Sequence, residues 1–97
     1  MPTYVSLLKY TNKGAAAIKD APKRMEAAKQ AAKAGGGQIK QIFCVLGRYD
    51  VVAISEMPDD EAAAKFALST AAQGNVTTET LRAFTEAEFL KMIASLP

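Results

Sequence analysis

Residues 46–54 read LGRYDVVAI, which sets a guanidinium, a phenol and a carboxylate side by side at the mouth of an apolar run. A phenol can donate a hydrogen bond or a proton, and a carboxylate can serve as a general base when its surroundings tune it. Lys9, Glu56 and Arg82 are further charges inside β-rich segments. Arg82 carries the planar fork that grips a carboxylate or phosphate through two parallel bonds. Tyr49, Asp50, Arg82, Lys9 and Glu56 therefore form the candidate ligand-binding set, and no residue is assigned to catalysis. Each also has a plainer reading. Tyr49 beside a turn can pack, Asp50 can brace a turn or an interface with Arg48, Arg82 or Lys9 as partner, and Arg82 and Lys9 can sit at solvated strand ends. Cys44 reads as an inert thiol on a packed face, because nothing nearby in sequence would activate it.

Histidine is absent and cysteine occurs once. The chain thus lacks the commonest general base near neutral pH and the commonest nitrogen ligand for zinc or iron. There is no CxxC pair, so no metal and no cofactor is expected. Gly35-Gly36-Gly37 could suggest a phosphate loop, but it follows a helical segment rather than opening one and reads as a C-terminal stop.

The elements that must position these groups are legible from patterning. TYVSLLKY (3–10) is rich in β-formers and bounded by Pro2 and Thr11-Asn12, a strand. Residues 12–34 favour helix through alanine, lysine and glutamine. Pro22 after Asp20 predicts a short helical turn near 12–19, a kink, and a main helix over 21–34 capped by Asp20. Its apolar stripe is Ile18, Met25, Ala28 and Ala32, with Lys23, Arg24, Glu26, Lys29 and Lys33 outward. Segments 38–46 and 49–56 read as strands joined by the two-residue turn Gly47-Arg48, with glycine supplying a positive φ. Asp59 caps a helix running to about residue 73. VTTETLRAF (76–84) is a fourth strand, and TEAE (85–88) is a capping box opening a final helix with Phe89, Met92, Ile93 and Leu96. The order is β-α-β-β-α-β-α: an α+β, ferredoxin-like arrangement with an extra C-terminal helix, in a single domain over 1–97.

The predicted turn sets a register in which Cys44 faces Val51, Phe43 faces Val52 and Ile42 faces Ala53. One sheet face then carries Leu46, Cys44, Ile42, Tyr49, Val51 and Ala53. The other carries Val45, Phe43, Ile39, Val52 and Ile54, with Gln41, Asp50 and Glu56 among them. On the first strand, Leu8 and Tyr10 fall on one side and Val5 and Leu7 on the other. Helices cover one face of such a sheet, leaving Phe43, Val52, Ile54, Val5 and Leu7 as more apolar surface than a soluble monomer tolerates. A second copy, sheet against sheet, is the expected cover, so a homo-oligomer of at least two chains is expected. The C-terminal helix folding across that face is the alternative.

Gly47, Tyr49 and Asp50, with the flanking VVAISEMPDDEAA and GNVTTETLRAFTEAEF, resemble the GYD domain family over nearly the whole chain. The resemblance implies a small bacterial or archaeal protein of the dimeric α/β-barrel group, and no particular chemistry. The net charge of +2 is too small for a nucleic-acid partner, and the middle strands lack the stacking aromatics that RNA-binding relatives of this fold use. No apolar run approaches a membrane span, and a cytoplasmic location is expected. The expected function is a non-catalytic small-molecule-binding or assembly module forming a dimeric α/β barrel. The alternative is a cofactor-independent enzyme, monooxygenase- or isomerase-like, working on a small organic substrate in a barrel pocket. Two of the five candidate groups meeting in one enclosed pocket would favour the enzyme.

Overall fold

A computed structural model describes the chain from Met1 to Pro97. The elements follow as β1 (Thr3–Tyr10), α1 (Asn12–Ala16), a 3-10 turn (Ile18–Asp20), α2 (Ala21–Ala34), β2 (Gln38–Cys44), β3 (Val51–Glu56), α3 (Asp60–Ala72), β4 (Val76–Ala83) and α4 (Glu86–Ala94). The strands form one antiparallel sheet in the order β2-β3-β1-β4, the ferredoxin-like order, with α4 added at the end. No helix is long and apolar enough to cross a membrane.

The helix starts are set by local chemistry. Thr11 has extended backbone and its Oγ1 accepts from the Gly14 N–H at 3.1 Å, capping α1. The same hydroxyl donates to the Gly74 carbonyl at 2.6 Å, and the Thr11 N–H donates to the Asn75 carbonyl at 3.0 Å. These bonds pin α1 to the start of β4. Gly14 is buried at that junction, where a Cβ would run into the Asn75 carbonyl. Asp59 caps α3, accepting from the Ala62 N–H at 2.8 Å. Thr85 and Glu88 form the expected capping box on α4. Asp20 departs from expectation and makes no side-chain cap on α2. It already lies in the 3-10 turn with helical backbone, whereas a capping side chain needs an extended one.

The β2–β3 register is the expected one from Gln41↔Ile54 through Cys44↔Val51, but the turn is not two residues long. The strands stop at Cys44 and restart at Val51, leaving a loop over 45–50 closed by Val45 N–H donating to the Asp50 carbonyl at 3.0 Å. Asp50 is thus tied on both sides, its carbonyl to Val45 and its N–H donating to the Leu8 carbonyl at 2.8 Å. Gly47 sits in this loop at φ +111°, a conformation other residues adopt only with strain. The loop also leaves Leu46 98% exposed rather than on a packed face, and Cys44 is exposed rather than core. Nearer the start of β2 a register shift between Ile39 and Gln41 marks a β-bulge. The extra residue moves Ile39 from the face shared with Phe43 to the helix side, where it lines a cavity.

On the helix side, Tyr4, Met57 and Ala63 form a small buried cluster with Ala62 and Phe66 against it. Only 7 of the 97 residues are buried, so the helix layer does not close a full core. The opposite face carries Val5, Leu7, Val52, Ile54 and Leu81, with Phe43 48% exposed among them. The chain does not lay α4 over this face, against the alternative expectation. Phe89, Ile93 and Leu96 remain 54%, 47% and 68% exposed. Phe84 lies under the Arg82 guanidinium, 4.4 Å from its ring centre, and Thr85 is engaged as the α4 cap.

Candidate functional site

The expected ligand-binding residues fall into separate neighbourhoods. At the loop end of the open face, the Tyr49 hydroxyl donates to Glu79 Oε2 at 2.5 Å, and Lys9 Nζ stands 5.6 Å from the Tyr49 ring centre. Tyr49 thus reaches from the β2–β3 loop across β1 to β4, on the side opposite the one the two-residue turn predicts. The longer loop frees it from strand alternation. Its bond to the Glu79 carboxylate raises its pKa, because ionising the phenol would set two negative charges together.

Asp50 is close in sequence and different in role. Its Oδ2 accepts from the Tyr10 backbone N–H at 2.8 Å, so its partner is neither Arg48, Arg82 nor Lys9. Together with its own N–H to Leu8, it laces the start of β3 to the end of β1. Glu56 lies at the far end of β3, 3.8 Å from Lys40 Nζ and accepting from Gln38 at 3.4 Å. Arg82 is on the helix side, stacked on Phe84, 5.9 Å from the Tyr4 ring centre, with a bond to the Ala83 carbonyl. Beside it the buried Tyr4 hydroxyl donates to Asp60 Oδ1 at 2.5 Å. Burial, with the Asp60 carboxylate second, pushes the Tyr4 pKa up to about 12.

None of these five residues lines the apolar cavity between the helices and the sheet. That cavity, of about 130 Å³, lies in the seam between α2, α3 and the helix face of the sheet. Its walls are Met25, Ala28, Ile42, Val51, Ala53 and Phe66, and its polar groups include Arg24, Gln73 and Asn75. The seam stays open because α2 presents Ala21, Ala28 and Ala31 to the sheet, side chains too short to fill the gap. Arg24, placed outward by the helical pattern, instead turns inward. Its Nη1 donates to the Ala17 carbonyl at 2.9 Å and Nη2 to the Gly14 carbonyl at 3.4 Å. The signal for this cavity was in the sequence as an alanine-rich apolar stripe, but the kink that aims Arg24 back at α1 was not.

The chain is similar to a Thermus thermophilus protein described as a glutamine synthetase and cystathionine beta-lyase binding protein, at 32% identity over 91 residues, covering 93% of this chain and 96% of that one. Its fold matches the crystal structure of a Thermus thermophilus protein with a TM-score of 0.55 and 25% identity, over 88% of this chain and 95% of the other. The profile of the GYD domain matches residues 4–93, and with the signature glycine, tyrosine and aspartate all in the β2–β3 loop, the chain belongs to the GYD domain family.

Proposed function

We propose that this protein is a non-catalytic assembly and binding module that pairs with a second copy through its open sheet face, forming a dimeric α/β barrel. The observation that supports this most directly is the apolar patch of Val5, Leu7, Phe43, Val52, Ile54 and Leu81, which no element of the chain covers. Sheet against sheet, the two faces would stack about 10 Å apart and hide these side chains from water. A two-fold arrangement brings each patch onto its own copy. By likeness to the relative named for binding glutamine synthetase and cystathionine beta-lyase, the partners of the assembled module would be enzymes. Its setting would be the bacterial cytoplasm.

The enzyme reading loses its footing on geometry. It asked for two of Tyr49, Asp50, Glu56, Arg82 and Lys9 in one enclosed pocket. Instead Asp50 is bonded to a backbone N–H, Arg82 is stacked, Glu56 is at the sheet's other end, and none lines the cavity.

Sedimentation equilibrium tests the pairing. The wild-type chain is expected at twice its 10.3 kDa mass at micromolar concentration, and Ile54→Asp is expected at the single-chain mass. A wild-type chain sedimenting at 10.3 kDa refutes it.

A further inference from the structure

The cavity in the α2–α3 seam is mostly apolar, and Arg24 is the one charged group among its polar lining residues Tyr10, Ser69, Thr70, Gln73 and Asn75. Arg24 and Ala31 are seven positions apart on α2, a run of about 10 Å along the helix. No carboxylate lines the cavity, so Arg24 is a cation there without a counter-ion. Its bonds to the Ala17 and Gly14 carbonyls hold the guanidinium in place and leave donors free for a ligand. The rim is itself well fixed, because α1 and the start of β4 are tied together through Thr11.

We propose that this cavity binds a small organic acid, its carboxylate on Arg24 and its compact apolar body, a single ring or branched chain, between Met25, Ala28, Val51 and Phe66. The volume of about 130 Å³ suits one ring and little more. A mostly apolar cavity with one fixed cation selects an acid over its neutral isostere, because the amide brings no negative charge to pair with the guanidinium. The site lies on the opposite side of the sheet from the open face, so it stands or falls separately from the pairing of chains.

Amide-resolved NMR titration of the full chain tests it with phenylacetate, phenylacetamide and acetate. Phenylacetate is expected to shift amides along the seam and to bind about tenfold more tightly than phenylacetamide, with acetate weaker than both. Arg24→Gln is expected to remove the preference for the acid while still binding the amide. Ala28→Phe fills the chamber and is expected to abolish binding of both ring compounds, with the β-sheet resonances kept as evidence of folding. Repeating the titration with Ile54→Asp separates the site from assembly, and unchanged binding is expected. Equal affinity of the wild type for acid and amide overturns the proposal, as does an undiminished preference in Arg24→Gln or undiminished binding in Ala28→Phe.

Discussion

Removing the Asp50 carboxylate tests whether the signature aspartate is a structural brace. Its Oδ2 is the acceptor for the Tyr10 N–H at 2.8 Å, and the contact is partly buried and far apart in sequence. Asp50→Ala leaves that N–H without its side-chain acceptor just where β1 ends and the chain turns into α1. A hydrogen bond to a charged group contributes about 1.5–3 kcal/mol, so a loss of about 2 kcal/mol is expected for this partly exposed one. Asp50→Asn keeps an oxygen acceptor without the charge and should lose about half as much. In a domain of this size 1 kcal/mol moves the melting temperature by about 4–8 °C, so Asp50→Ala should fall by about 8–16 °C. The assay is urea unfolding at two protein concentrations, because self-association would add a mass-action contribution to stability. The backbone bond from Asp50 N–H to Leu8 is common to all variants and cancels. A loss below about 0.5 kcal/mol for Asp50→Ala, or equal losses for Ala and Asn, would refute the brace, because neither fits a charge-assisted bond.

Two further outcomes follow from particular contacts. Tyr4 has its pKa pushed up to about 12 in the folded chain, so its contribution to stability is full below pH 10 and drains away as pH rises toward 12. Urea midpoints across that window should fall less steeply in Tyr4→Phe than in wild type, and identical slopes would contradict the assignment. Thr85→Ala removes the side-chain half of the α4 capping box, worth about 1 kcal/mol to the helix. Because α4 carries Phe89, Leu90 and Ile93 into solvent, helical circular dichroism should drop well before the global unfolding midpoint moves.

Much of the architecture was legible in the chain because it depends on short-range chemistry. β-Former content marks β1 and β4, Asp59 and Thr85 announce helix starts, and a hairpin centred on Gly47-Arg48 gives the register of β2 and β3 from Gln41 to Cys44. The site residues were harder to read. Tyr49 and Asp50 are adjacent in sequence, yet one reaches β4 and the other β1. A loop longer by a few residues releases side chains from strand alternation, and no local pattern says where they then point. Ile39 changed faces for a related reason: a bulge at Lys40 shifts the period of two by one.

By itself, then, the amino-acid order determined the elements, their sequence and the two-faced character of the sheet, since each follows from propensities and periods spanning a few residues. Tertiary structure alone decided that Arg24 turns inward, that α4 leaves the open face bare, and that Tyr49 meets Lys9 while Asp50, Glu56 and Arg82 lie apart. Those outcomes depend on how far α2 and α3 stand from the sheet and on bonds between residues tens of positions apart. Such distances are set by the packing of the whole chain.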